Sequence, residues 1–410
     1  MIVGFFIACK YFSYISFGNK NVFKDVTMDF SIYLVNKSKK CDIVYNEVKL
    51  VKKNTEWDDI KTFAEIQANP NITVNTSTAK ELILVRSDKT KFIVVDNPAD
   101  KITFEVIGGK SEYKVRSGLG LLPKETRLFK LVSFDKLNKV AEIESLDSIK
   151  NNLGNIITIN SDYLFPVLTS EDLSVGNVDL SNKNNYELFT FLPYDYQVKS
   201  KESFDISDLK TKLGNNFFNQ YFLGASKKLS AQSQTSNQLK QKDSYGIARI
   251  GTYTYHPHKV ILRDNTKFVS SVISKQNFYN AELQDRVPLL NSHVSSISER
   301  ITVHGKKPKT TLITEEESLF INAILNLPIV RKFIENSNSP RGYELNDLGI
   351  FLPVFDSKNT FHQNILIQAK SSTPNQSQIL TNYLEDCYLK NPYYLNRNIN
   401  KVANTINPTI

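Results

Sequence analysis

Cysteine is scarce in this chain. Its 410 residues hold three, Cys9, Cys41 and Cys387, an odd number at wide spacing with no Cys-x-x-Cys pair. That excludes a disulfide framework and a cysteine-built zinc site, and it predicts a reducing, cytoplasmic setting. Long apolar runs are missing too. No stretch approaches the ~18 uninterrupted apolar residues that a membrane helix needs. The apolar start, Met1–Lys10, has no basic residue ahead of its apolar run and is interrupted by Lys10. It reads as a buried strand or helix end, not as a secretion signal, and no membrane partner is expected. No Gly-x-Ser-x-Gly elbow is present to support Ser-His-Asp chemistry.

Apolar residues make up 40%, enough to bury more than one core, so the chain is not a disordered tail. The formal charge is +9. A surplus of that size favours a polyanionic partner without establishing one.

Several segments alternate between strand and helix patterns. Asp29–Val35 is rich in β-branched and aromatic residues, Asn36–Lys40 ends it as a turn, and Asp42–Tyr45 starts another strand. Near-continuous apolar strands of this kind belong to sheets covered on both faces. Glu56–Ile66 carries Trp57, Ile60, Phe63 and Ala64 on one helical face, with Thr55 placed to cap it. Glu81–Val85 and Lys91–Val95 read as strands. Residues 225–243 are polar and of low complexity, fitting a loop or an exposed helix equally well. Thr314 and Glu317 fit a capping box ahead of the apolar face Leu319, Phe320, Ala323, Ile324 and Leu327, and Pro328 should kink or restart that helix.

The segment Gly246–Arg263 sets Tyr253, Tyr255, His256, His258, Lys259 and Arg263 around Pro257. Arginine and lysine can hold phosphates, while histidine and tyrosine can stack on bases or hydrogen-bond to them. A hairpin with inward-packed tyrosines has the same composition. The two histidines alone do not make a zinc site, since no third ligand lies near them in sequence. Asp100 with Glu112-Tyr113-Lys114 weakly matches a nuclease pattern, but Glu-x-Lys is common in a lysine-rich chain.

Gly251–Val260 resembles the "G-x-Y-(T/S)-F-x-P-Y-K-V" segment in the target recognition domain of the TaqI-like adenine-N6 DNA methyltransferases of type II restriction–modification systems. Tyr255 stands at its aromatic after the threonine, and His258 replaces its second aromatic. Further segments resemble that family in the same order. Tyr113–Gly120 is similar to its "R-x-G-v" stretch, Thr126–Leu131 to the strand that follows, Tyr163–Leu173 to "YPLL...dI", and Pro193–Asp195 to its "PY" turn. Glu316–Ile334 is similar to the "LcaiLNSsiv" helix, and Leu352–Asp356 with Phe361-His362 to "IPkFd...H". Upstream, Ile15–Thr27 looks like a stretch near the end of the family's catalytic domain, so the sequence is expected to start inside such a domain.

The family's donor site needs a Gly-rich turn and its catalytic loop reads Asn/Asp-Pro-Pro-Tyr/Phe, which grips the flipped adenine. Neither is present. The nearest strings are Asn69-Pro70-Asn71, Asn97-Pro98-Ala99-Asp100 and Asn391-Pro392-Tyr393-Tyr394.

The resemblance implies an α+β chain: a remnant of a doubly wound α/β methyltransferase sheet followed by a mixed α/β DNA target recognition domain. The expected parts are 1–50, terminal strands of a methyltransferase-like domain; 51–110, a connecting α/β region; 111–370, the recognition domain; and 371–410, a helical tail. The partner implied is double-stranded DNA, with the catalytic half either supplied by a separate polypeptide or lost. S-adenosylmethionine is implied for the complete enzyme and no cofactor for this chain. The DNA-contacting residues expected are Arg116, Lys124, Arg127, Tyr253, His256, His258, Lys259, Arg263 and Arg341. The competing reading is a basic binding or structural protein unrelated to methylation.

Overall fold

The structure is a computed structural model and describes residues 11–16, 31–36, 43–50, 63–70, 72–83, 90–95, 97–173, 186–195, 204–225, 246–263, 268–273, 286–304, 307–337 and 349–390. The expectations for Met1–Lys10, for most of the polar stretch 225–243 and for the start of the Glu56–Ile66 helix lie outside them. So does Arg341. The described part of that helix is Phe63–Ala68. The chain mixes helices and sheets in an α+β arrangement and forms two compact units. One holds residues 1–111, 265–267 and 324–410. The other holds 112–264 and 268–323.

The first unit carries a five-stranded sheet ordered β2-β1-β3-β4-β5, from β1 (Tyr11–Ser16), β2 (Ser31–Asn36), β3 (Ile43–Leu50), β4 (Ile72–Ile83) and β5 (Thr90–Val94). Strands β1 and β3 pair in parallel and the remaining pairs are antiparallel. The start of the helix Pro98–Ile107 is set by its local residues. Asn97 accepts the Ala99 N–H at 3.0 Å, and Pro98 occupies the first turn, where its missing N–H costs nothing. It packs edge-to-face on the helix Pro328–Ser337 through Phe104 and Phe333, ring centroids 5.2 Å apart. Pro328 does restart the helix there.

The motif Leu352–His362 has a structural explanation in this unit. His362 is fully buried, and its Nδ1 accepts the Asp356 N–H at 2.9 Å. That fixes the proton on Nε2, which donates to Asp386 at 3.1 Å on the helix Gln376–Leu389. Asn359 and Lys390 donate to the same carboxylate at 2.8 Å each. Burial pushes the Asp386 carboxyl up, but the hydrogen bonds from His362 and Lys390 outweigh it, and the net shift is downward.

The second unit holds two antiparallel-rich sheets. One is ordered β14-β10-β11-β7-β8-β9, from β7 (Phe129–Asp135), β8 (Val140–Ser145), β9 (Ile156–Asn160), β10 (Leu164–Leu168), β11 (Phe189–Phe191) and β14 (Leu289–Leu290). The other runs β13-β12-β15-β16, with β12 (Lys259–Arg263), β13 (Val269–Ile273), β15 (Val294–His304) and β16 (Lys307–Leu312). Strand β6 (Tyr113–Ser117) pairs antiparallel to β15. The sheets share a core in which Phe129, Phe191, Phe217 and Tyr221 meet at centroid distances of 5.2–6.1 Å. The capping box forms as predicted: Glu317 N–H donates to Thr314 Oγ1 at 3.1 Å and Thr314 N–H to Glu317 Oε2 at 3.3 Å. On the apolar face that follows, Phe320, Ala323, Ile324 and Leu327 are buried and Leu319 is half-buried.

Candidate nucleic-acid interface

Two segments far apart in sequence, Tyr113–Gly120 and Gly246–Lys259, come together in the second unit. The contact begins with backbone. Gly120 N–H donates to the Ala248 carbonyl at 3.1 Å. Gly118 admits no side chain: a Cβ there would lie 2.2–2.6 Å from the carbonyl oxygens of Asn291, Leu290 and Val294. The glycine is needed for close approach and not for an unusual φ.

The Gly-x-Tyr-Thr spacing is explained by a single 3-10 turn, Thr252–Tyr255. The Tyr253 ring folds back over Gly251, where a Cβ would meet ring carbons at 2.3 Å and 2.8 Å. Tyr253 hydroxyl donates to the Arg249 carbonyl at 2.5 Å. Thr254 Oγ1 accepts the Gly251 N–H at 3.1 Å. Arg249 itself takes a left-handed φ of 65°, which turns the chain into this loop and leaves its side chain exposed.

Arg116 crosses from β6 to meet the turn. Its guanidinium lies over the Tyr253 ring, 5.1 Å from the centroid. Its Nε and Nη2 both donate to Glu299 Oε1, at 2.7 Å and 2.5 Å. Burial raises the Tyr253 phenol pKa, with Arg116 and Arg249 pulling the other way. The three side chains therefore share one electrostatic neighbourhood. Arg249 was not among the residues expected from sequence; its only signal there was a basic residue just ahead of the glycine.

The other expected residues sort by exposure. Lys124 is exposed on the short helix Lys124–Arg127. Arg127 is interior, 1% exposed, its Nε donating to the Leu122 carbonyl at 3.2 Å and Nη2 to the Gly246 carbonyl at 3.0 Å. Burial pushes its pKa down to about 10, so it stays charged at neutral pH. His256 is 7% exposed, and its Nε2 donates to the Ile313 carbonyl at 2.7 Å. Lys259 is 1% exposed and donates to the Thr254 carbonyl at 2.7 Å; desolvation pushes its pKa down to about 7. These three are placed as scaffold, each holding a loop by a backbone carbonyl, out of reach of a phosphate in this conformation. His258 is half-buried, its ring edge-on to His256 at 5.8 Å. Arg263 is half-buried and donates to the Leu173 carbonyl at 2.9 Å. Tyr255 packs against the Leu119, Leu128, Tyr194 and Ile247 cluster. In that cluster the Tyr194 hydroxyl of the Pro193–Asp195 motif accepts the Ile247 N–H at 2.6 Å.

Among the described residues, no group of three His, Cys, Asp or Glu side chains is arranged to hold a metal ion, and no helix is long and apolar enough to cross a membrane. Asp100 of the weak nuclease pattern pairs with Lys332 at 2.7 Å.

No family model matches the chain, and no curated protein matches it. Among solved structures the chain is similar to that of a Type IIL restriction-modification enzyme, MmeI, in complex with DNA, at 10% sequence identity and a TM-score of 0.44. The match covers 98% of this chain and 45% of the other, so the chain spans less than half of that enzyme's length.

Proposed function

We propose that this chain recognises double-stranded DNA, as the target recognition part of an adenine-N6 methyltransferase of a restriction–modification system. The observation that carries the reading is the convergence of Tyr113–Gly120 and Gly251–Lys259. These are the segments that resemble the family's recognition domain, and they meet at a surface bearing Arg116, Arg249 and Tyr253. The exposed Arg249 beside the part-exposed Arg116 suits a polyanion that also offers base edges. The net charge of +9 acts in the same direction at longer range.

Methyl transfer is not assigned to this chain. S-adenosylmethionine would need a Gly-rich turn, and the target adenine an Asn-Pro-Pro-Tyr loop; the sequence has neither. The Asn97-Pro98 pair is a helix cap, its side chain already accepting the Ala99 N–H. In this reading the first unit's sheet is part of a methyltransferase domain whose donor site lies outside these 410 residues.

The test is equilibrium binding of the purified chain to duplex DNA over a salt series. Each phosphate neutralised adds about 0.9 to the slope of log affinity against log salt, so several contacts give a steep line. Weak binding with a flat line would overturn DNA recognition in favour of a basic structural protein. Incorporation of labelled methyl groups into DNA by the chain alone would overturn the division of labour.

A further inference from the structure

We propose that Arg116 reads a guanine in the major groove, held for that task by Glu299 and Tyr253; the inference rests on the DNA-recognition reading above. The strand register shows how the pair is built. Along β6 and β15, Ile297 lies opposite Val115, but the next pairing is Glu299 opposite Lys114, because Ser298 is an extra residue in β15. Without that bulge Glu299 would fall opposite Tyr113, on the face where Tyr113 donates to the buried Glu317 at 2.7 Å. The extra residue moves Glu299 to the face shared by Lys114 and Arg116. Arg300 takes the place opposite Tyr113 instead, 3.7 Å from Glu317. The bulge thus delivers Glu299 to Arg116 and leaves Glu317 to Tyr113 and Arg300.

The consequence for Arg116 is chemical. Glu299 is nearly enclosed, at 3% side-chain exposure, and takes the Nε side of the guanidinium. Tyr253 takes one of its flat faces. The side chain is still 35% exposed, and the end-on edge formed by Nη1 and the second Nη2 hydrogen has no acceptor among the described residues. A guanidinium already neutralised by a carboxylate at 2.5 Å gains little from a phosphate. Its two parallel N–H donors keep their direction, and guanine presents O6 and N7 as a matching pair of acceptors in the major groove. Arg249, exposed and with no acidic partner among the described residues, has the opposite character and suits a phosphate.

The experiment selects binders from a duplex library with a randomised core, using the full chain and the variants Arg116→Lys, Arg116→Ala, Glu299→Gln and Arg249→Ala, each checked for an unchanged unfolding midpoint. Selected wild-type binders are expected to share a G·C pair. Arg116→Lys keeps the charge but not the fork, and should lose preference at that pair alone. Its affinity for the wild-type consensus should fall on the order of 5–100-fold. Glu299→Gln should blunt the same preference while leaving binding to unselected duplex equal or stronger. Arg249→Ala should weaken all sequences alike and lower the salt slope by about one. Arg116→Ala behaving like Arg249→Ala, or Arg116→Lys keeping every base preference, overturns the guanine assignment while DNA recognition stands. Absence of duplex binding by every protein, wild type included, overturns both.

Discussion

Lys259→Met isolates the cost of a buried charge. The lysine is 1% exposed, and it lines a small cavity of about 10 Å³ with Ser117, Gly118, Thr254 and Ser296, room for roughly one water. Its pKa is lowered from 10.5 to about 7 by desolvation. A difference of about 3.5 units at 1.36 kcal/mol each is an upper figure of about 5 kcal/mol. The sign follows from proton counting. Below about pH 7 lysine is charged in both states, and the folded chain bears the full desolvation cost. Between about pH 7 and 10.5 only the unfolded chain holds the proton, so the contribution of this residue becomes more favourable as pH rises. Methionine has nearly the same shape but leaves the Thr254 carbonyl without its donor, which costs about 1–3 kcal/mol at any pH. The variant should therefore be more stable than wild type by about 2–4 kcal/mol near pH 6 and less stable by about 1–3 kcal/mol near pH 11, the two curves crossing between. Urea unfolding of both proteins over that range, read as the difference between them, cancels every other titrating group. A difference that does not change with pH would show that Lys259 is not desolvated as placed, and the scaffold role assigned to it would fall.

Three more outcomes follow from the same geometry. Gly118→Ala forces a Cβ to within 2.2 Å of a backbone carbonyl and should cost more than about 4 kcal/mol in urea unfolding, whereas Gly224→Ala, with open space around it and no left-handed φ, should cost far less. Arg127→Met strands the Leu122 and Gly246 carbonyls but also removes a desolvated charge, so it should change stability by less than two lost hydrogen bonds alone would, while leaving the salt slope of DNA binding unchanged; a slope reduced by one would return Arg127 to the contact surface. Asp386→Asn removes a carboxylate whose folded pKa is depressed, so it should lower stability above the ordinary carboxylate range and flatten the loss that wild type shows as pH falls through the folded value; a thermal melt series in acid checks this.

Local signals in the sequence were read where the physics is local. The capping box at Thr314 and Glu317, the restart at Pro328 and the strands of β2, β3 and β5 depend on neighbours within a few residues, and each is present. Pairing was not legible. Nothing in Glu81–Val85 tells that its strand reaches back to Ile72, or that β1 runs parallel to β3. The bulge at Ser298, which decides where Glu299 points, depends on register with a strand far away in the chain. The candidate site was half legible for the same reason. Tyr253 and Arg116 stood out by residue type and motif, but only the fold places one over the other. Exposure misled most. Basic residues are normally at the surface, and Arg127 and Lys259 are interior because backbone carbonyls at Gly246 and Thr254 lie within reach of their long stems.

The burial of Lys259 and His256 also bears on what the resembling segment means. A motif shared with a recognition domain is easily taken for a row of contacts. Here Gly251 makes room for a ring, Thr254 closes the turn, His256 ties it to Ile313 and Lys259 props its carbonyl from below. Four residues of the motif thus build one turn whose product is the position of Tyr253. Tyr253 in turn supports Arg116, and Arg116 is aimed by a bulge on another strand. Such an arrangement separates affinity from choice. The loop can be kept while a change at Arg116 or Glu299 alters which base is preferred, because the hydrogen bonds that close the turn come from neither residue. It also predicts where tolerance should lie: substitutions at His256 or Lys259 act through stability, and those at Arg116 through sequence preference. A variant at Lys259 that changed base preference without changing stability would break this separation.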